Sequence, residues 1–230
     1  MKKYNTLLFD LDGTLTDSAP GIINCVRYAL SEMGVEEPKD IMRFVGPPLC
    51  ESFPSFCGFD KEQTETAIKI YRSRYSVTGL FENNVYEGIP EMLERLKKGG
   101  KRLLVATSKP EEFSVRILDK FGLSEYFEII GGAATDGSRD TKHDVLVYLL
   151  ERAGITDTSD VLMIGDRMHD IIGAHSLNIS CMSVLWGYGD TDEFNKFFLR
   201  RNLKWKILLK WNSSMRAKLI RFMQQMTLIL

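Results

Sequence analysis

Leu7-Leu8-Phe9-Asp10-Leu11-Asp12-Gly13-Thr14-Leu15-Thr16-Asp17-Ser18 is the stretch whose reading decides the fold. The short apolar run Thr6 to Phe9 reads as a buried strand. It stops at two carboxylates one residue apart, Asp10 and Asp12, and Gly13 then lets the chain turn tightly. In an extended segment residues i and i+2 point to the same side. Two acids on one side of a strand end repel each other and fill no packing role. A divalent cation, a phosphate-bearing substrate, or both would hold them together. Asp and Gly are also common turn residues, so Asp12-Gly13 alone says little, whereas the full string from Asp10 to Ser18 says more.

The chain of 230 residues is long enough for one large domain or for a core with an insert. Its composition is that of a soluble globular protein. The start, Met1-Lys2-Lys3-Tyr4-Asn5, has no secretory-signal pattern, and no apolar run is long enough to span a bilayer. Cys25, Cys50, Cys57 and Cys181 form no CxxC pair, so they read as free thiols of a reducing compartment, and a cytoplasmic location is expected. All 31 acidic residues lie at or before Glu193, with 21 of the 30 basic ones. The body is therefore near −10 and the remainder +9. An acidic body argues against a nucleic-acid polymer as partner.

Outward from the first strand, Pro20 to Met33 has helical spacing and stops at Gly34. Further helical text covers Lys39–Phe44, Leu49–Phe56 and Lys61 to about Val77, with a rigid break at Val45-Gly46-Pro47-Pro48. An all-helical block, residues 19–84, thus interrupts the chain directly after its first strand. From Gly88 the pattern changes. Helices are expected at Ile89–Lys98, Glu111–Phe121, Thr141–Ala153 and Met168–Leu177. They alternate with apolar strands at Arg102–Thr107, Phe127–Ile130, Val161–Ile164 and Cys181–Leu185. Short strands alternating with helices give an α/β fold with a doubly wound parallel sheet. The expected division is residues 1–18 with 85–193 as the α/β core, 19–84 as the helical insert, and 194–230 as a basic C-terminal segment.

Ligands of such sheets bind at the carboxyl ends of the strands. Three expected strands end in polar residues: Asp10-Leu11-Asp12, Thr107-Ser108-Lys109 and Gly165-Asp166, while Lys142 opens the helix after a fourth. Mg²⁺ prefers oxygen ligands and is usually held by one or two carboxylates plus substrate oxygens. Asp10 and Asp12, Asp166 and Asp170 one helical turn later, are the candidate ligands. Asp166 and Asp170 have a plainer reading as helix N-terminal acids. Thr107 and Ser108 can donate to phosphoryl oxygens and Lys142 can neutralise them. Thr107 could instead cap the next helix, and Lys142 could be a solvated lysine. The latter is an odd position, because a helix N-terminus is already positive.

Taken with the string DLDGTLTDS, these places resemble, in order, the motifs of the haloacid dehalogenase-like (HAD) superfamily. The resemblance implies that Asp10 is the nucleophile and Asp12 the general acid/base. It further implies that Thr107 in VATSK and Lys142 in RDTKHDVL bind phosphate, and that Asp166 and Asp170 in GDRMHD hold the metal. Residues 19–84 resemble the small helical cap of one HAD subclass. Arg43, with Gly46 in the Val45–Leu49 loop, resembles its substrate-selecting part, although Arg43 could equally be an exposed helix arginine. The stretches VGPPL and NNVYEGIPEMLERLKKGGKRLLVATSKP are similar to the phosphoglycolate phosphatase-like group. That group implies a Mg²⁺-dependent phosphatase acting on a small phosphorylated metabolite through an aspartyl-phosphate, as a monomer or homodimer. A sugar-phosphate mutase, a pyrophosphatase and a non-catalytic binding module are the alternatives. His169 sits at a variable position inside the metal motif. It reads as a neighbour, not a ligand, and neither it, His143 nor His175 suggests zinc.

Beyond Tyr188-Gly189 the resemblance ends. Leu208, Trp211, Met215, Leu219, Phe222 and Met226 recur at three- and four-residue spacing, one face of a helix. Such a basic amphipathic helix could lie on an anionic membrane or bind a partner. The favoured reading is an aberrant end whose apolar face covers the sheet edge.

Overall fold

A computed structural model describes residues 4–194 and Leu208–Leu209. The described chain forms two compact units. One comprises the residues up to Thr16 and those from Val85 onward, the other Asp17–Asn84. Two short strands, β2 (Thr16–Asp17) and β3 (Asn84–Val85), pair with each other where the chain passes from one unit to the other and back.

The first unit is built on a parallel sheet. Strand β1 (Thr6–Phe9) lies at its centre, between β4 (Arg102–Pro110) and β6 (Val161–Gly165). Beyond β4 comes β5 (Ile129–Ala133), and beyond β6 come β7 (Ser180–Val184) and the two-residue β8 (Leu208–Leu209). A strand buried on both faces reads as a continuous apolar run rather than an alternating one. β1 obeys this: Leu7, Leu8 and Phe9 are all fully buried. On one face Leu8 joins Leu104, Met163 and Cys181 from neighbouring strands. These pack against Val145, Leu146 and Leu149 of α6 (Lys142–Arg152) and Ile171 and Ala174 of α7 (Met168–Ser176). From β1 Phe9 meets Phe127 edge to face, with ring centroids 6.2 Å apart.

Local sequence fixes the helix starts. Helix α4 (Ile89–Lys98) begins after Gly88 in the left-handed conformation and carries Pro90 in its first turn. α6 has a capping box, with Thr141 Oγ1 accepting from Asp144 N and Asp144 Oδ2 accepting from Thr141 N. The crossover helix α5 (Glu111–Lys120) follows Pro110.

The second unit is helical: α1 (Ala19–Glu32), α2 (Leu49–Cys57) and α3 (Lys61–Tyr75). The Asp60 carboxylate and the Gln63 amide close a capping box at α3. Phe44, Phe53, Phe56 and Phe59 form an aromatic cluster at 5.1–5.7 Å between centroids. Arg74 makes a two-pronged ion pair with Glu82 at 2.7 and 2.8 Å.

Several expectations change in detail. Lys39–Phe44 is not an α-helix but a 3₁₀ turn over Ile41–Phe44, because Pro47-Pro48 stops it one turn later. β4 runs beyond Thr107 to Pro110, with its pairing to β5 shifted between Ala106 and Pro110. β5 passes through Gly131 and Gly132 instead of ending there. These glycines mark close approach, not a turn: a Cβ on Gly131 would stand 2.7 Å from the Leu149 side chain, and one on Gly132 2.5 Å from Lys109 O. Leu208 and Leu209 start no helix. They add a parallel strand to β7, whose open edge offers hydrogen bonds that outweigh the helical spacing. Phe194, placed at the start of the departing segment, is fully buried in the core cluster. The rest of the amphipathic pattern, Trp211 to Met226, lies outside the described residues, as do its membrane-binding and edge-covering readings. Among the described residues no helix is long and apolar enough to cross a membrane.

Candidate active site

The parallel register delivers the ends of β1, β4 and β6 to one place. Asp10 follows β1, Thr107 lies within β4 where its regular pairing breaks, and Asp166 follows β6. α6 and α7 add Lys142 and Asp170 from their first turns. Asp10, Asp166 and Asp170 each offer a carboxylate oxygen within 4.8 Å of the others, and all three are buried.

Lys142 is the cation of this cluster. Its Nζ donates to Asp10 Oδ1 at 2.8 Å and to Ala106 O at 2.7 Å. It also lies 2.8 Å from Asp170 Oδ1, an ion-pair contact without the alignment of a directed hydrogen bond. Asp170 has the helix N-terminal role open in the sequence: Oδ2 accepts from Arg167 N at 3.0 Å and caps α7, while Oδ1 faces the ammonium.

One ammonium does not balance three carboxylates. Burial pushes Asp10 up to about 6, against the pull of Lys142, and the charge of Asp170 adds to the rise. Asp166 is raised well above the ordinary range, first by burial and then by repulsion from Asp10 and Asp170. Burial works against the charge on Lys142, but the two carboxylates more than offset it and hold the ammonium charged. The donor set is hard oxygen with surplus negative charge, so these residues fit a divalent cation such as Mg²⁺.

Asp166 is held from two sides. Its Oδ2 accepts from Tyr188 N at 2.7 Å and its Oδ1 from Thr14 Oγ1 at 3.3 Å. The loop Trp186–Gly189 presses directly on it: a Cβ on Gly187 would stand 2.3 Å from Asp166 Oδ2, and one on Gly189 2.0 Å from Asp166 O. Gly13, at φ +79°, approaches from below, with no room for a Cβ 2.1 Å from Asp166 Oδ2. Trp186 Nε1 donates to Thr14 O and ties this loop to the turn after β1.

Asp12 stands apart from the three-carboxylate group. Its Oδ2 is 2.6 Å from Lys109 Nζ, and its Oδ1 is buried without a hydrogen-bond partner. Asp12 is thus held by Lys109 and is not one of the three carboxylates whose oxygens lie within 4.8 Å of one another. Thr107 is buried. Its Oγ1 accepts from Lys109 N at 3.2 Å and does not cap the next helix. Ser108 is exposed at the strand end. In the helical unit Arg43 is exposed, with its guanidinium 4.2 Å over the Phe56 ring, and Gly46 is an exposed turn residue at φ +109°. His169 is exposed and outside the carboxylate group, and His143 Nδ1 pairs with Ser176 Oγ at 2.6 Å.

Lys109, Thr14 and the Trp186–Gly189 loop were not among the candidates from sequence. Lys109 sits in the expected strand-end triplet, so proximity to Thr107 was the available signal. The glycines of Gly187-Tyr188-Gly189 were a second one.

Buried carboxylates, an ammonium and a hydroxyl gathered at the strand ends of a parallel sheet define an enzyme of the α/β hydrolytic or group-transfer class. Comparison with known proteins makes that specific. The model of the haloacid dehalogenase-like hydrolase family matches residues 7–184, so the chain belongs to that family. It is 44% identical over 194 residues to a 5'-nucleotidase of Pseudomonas aeruginosa, covering 83% of this chain and 87% of that protein. It is 33% identical over 184 residues to a phosphoglycolate phosphatase of Aquifex aeolicus, covering 79% of this chain and 85% of the other. Its fold is similar to that of the protein tyrosine kinase A of Mycobacterium tuberculosis. The TM-score is 0.76 at 38% identity, over 95% of this chain and 99% of that one.

Proposed function

We propose that the protein is a Mg²⁺-dependent phosphatase that hydrolyses a small phosphomonoester of the phosphoglycolate or nucleoside monophosphate class. The observation that carries this is the buried cluster in which Lys142 bridges Asp10 and Asp170 beside Asp166. Asp10, Asp166 and Asp170 would hold the cation. When bound, Mg²⁺ offsets the charge of the carboxylates and of the phosphoryl oxygens.

In this reading the Asp10 carboxylate attacks phosphorus as the bond to the leaving oxygen breaks, giving an aspartyl-phosphate. Asp12 supplies the proton that the leaving oxygen takes. Now a carboxylate, Asp12 accepts a proton from the water whose oxygen attacks the same phosphorus and frees Asp10. Thr107 and Ser108 offer hydroxyls to the phosphoryl group, and Lys142 keeps Asp10 ionised and oriented. The helical unit Asp17–Asn84 is taken as the family's cap, with Arg43 and Gly46 as substrate-selecting positions. The substrate classes are supported by the likeness to the 5'-nucleotidase and the phosphoglycolate phosphatase. A cytoplasmic location is inferred from the free cysteines, and a monomer or homodimer from the family resemblance.

The test is a panel of phosphoglycolate, nucleoside monophosphates, a hexose phosphate, pyrophosphate and p-nitrophenyl phosphate, ranked by kcat/KM. Mg²⁺-dependent phosphate release that is abolished by EDTA and by Asp10→Asn is expected. Release unaffected by either change would refute the reading. A hexose phosphate isomerised without net phosphate release would replace it by a mutase, and phosphorylation of a tyrosine peptide from ATP by a kinase.

A further inference from the structure

Asp12 has two oxygens in contrasting situations. Oδ2 is gripped by Lys109 Nζ at 2.6 Å, and Oδ1 is buried with no hydrogen-bond partner. The Lys109 side chain is only 8% exposed, so this is not a solvent-screened surface pair. Its backbone is also fixed. Lys109 N donates to Thr107 Oγ1, and Gly132 approaches Lys109 O so closely that a Cβ there would stand 2.5 Å away. The shift in β4–β5 pairing between Ala106 and Pro110 falls on this segment. Such irregularities re-aim side chains at the end of a strand.

We propose that Lys109 is a positioning residue for proton transfer: by holding Oδ2 of Asp12 it commits the carboxyl group to one orientation and presents Oδ1 to the leaving oxygen. This rests on the reading of Asp12 as general acid/base. A carboxyl group free to rotate about its last bond would spend time with neither oxygen in line. Proton transfer depends steeply on that alignment, since a donor must reach hydrogen-bond distance of the atom it serves. In this role Lys109 takes no part in the chemical step itself. It acts through Asp12.

The leaving group separates this role from a structural one. An alkyl alkoxide needs the proton as it departs, whereas a dinitrophenolate leaves without it. We compare glycerol phosphate with 2,4-dinitrophenyl phosphate for the wild type, Lys109→Met, Lys109→Gln, Lys109→Arg and Asp12→Asn. General acid–base catalysis contributes typically 10²–10⁴-fold. Lys109→Met and Lys109→Gln are therefore expected to lower kcat/KM, which reads the step in which the leaving group departs and not the hydrolysis both esters share, about 10²-fold on the alkyl ester against a few-fold on the dinitrophenyl ester. Lys109→Arg should recover part of the loss, and Asp12→Asn should show the same leaving-group pattern more strongly. Equal losses on both esters, or a rise in KM alone, would overturn the proposal and make Lys109 a structural or phosphate-binding residue. If Lys109→Met does not fold, Lys109→Gln, one atom shorter but neutral and still able to donate, decides between the same outcomes. If Asp12→Asn itself shows no leaving-group dependence, the assignment of Asp12 fails, a result distinct from failure at Lys109 alone.

Discussion

Replacing Asp10 with asparagine should make the metal-free protein more stable near neutral pH. Asp10 is raised from 3.8 to about 6, chiefly by burial. A carboxyl group with a raised folded-state pKa binds its proton more tightly in the folded chain than in the unfolded one. It therefore costs nothing below pH 3.8. The cost grows between 3.8 and about 6 and is constant above that, so stability falls as pH rises through this window. At about 1.4 kcal/mol per pH unit of displacement, the full cost is on the order of 3 kcal/mol. The attraction of Lys142 is already inside that figure, because protonation and substitution remove the same charge. Imperfect packing of the amide reduces the gain, and an expected range is roughly 1–3 kcal/mol at pH 7.5. For a chain of this length that is a rise in melting midpoint of about 2–4 °C per kcal/mol. Thermal unfolding in EDTA across pH 4–8 measures it. The wild type should lose stability between pH 4 and 6.5, the variant should lose less, and the two should converge near pH 4. Mg²⁺ should narrow the gap at pH 7.5 by stabilising the wild type more. A variant less stable than the wild type at pH 7.5 in EDTA would refute the reasoning.

Lys142→Met leaves Asp10 and Asp170 buried without their cation, so a loss of about 3–5 kcal/mol at pH 7.5 is expected, together with loss of phosphate release. The destabilisation should shrink toward pH 5 as Asp10 takes up a proton, and a pH-independent loss would contradict this. Gly187→Ala places a Cβ 2.3 Å from Asp166 Oδ2 and must displace either Asp166 or the Tyr188 N–H that holds it. Mn²⁺ binding followed by electron paramagnetic resonance should weaken about 10–100-fold, as for loss of an outer partner of a ligand. Arg43→Ala should cost roughly 0.5–1 kcal/mol, the worth of an exposed contact with the Phe56 ring. It should reorder the substrate panel while the rate on p-nitrophenyl phosphate holds, and an unchanged order would remove Arg43 from substrate selection.

The central strand, the alternation of helices with strands and the residues of the cluster were legible because each rests on a local rule. Three apolar residues, Leu7, Leu8 and Phe9, running up to Asp10 make a strand, and Pro90 and Gly99-Gly100 bound a helix. What stayed hidden depends on partners distant in sequence. Gly131 and Gly132 look like a stop until Leu149 and the Lys109 carbonyl are seen against them. Lys109 is 97 residues from Asp12, and no spacing rule links them. The loop after β7 reads as a glycine-rich tail to the strand, although its backbone is what steadies Asp166. Asp12 was grouped with the other acids because alternation along a strand places i and i+2 together. That rule says nothing of the lysine with which the Asp12 carboxylate pairs.

Lys142 is anchored to the ends of β1 and β4 and to the start of α7, so one ammonium group serves as the keystone of an arch as well as part of its workings. Selection for turnover and selection for a chain that folds then act on the same atom. Drift at this position is penalised twice, and a decayed, inactive descendant of this protein would have to rebuild its interior before it could dispense with the chemistry.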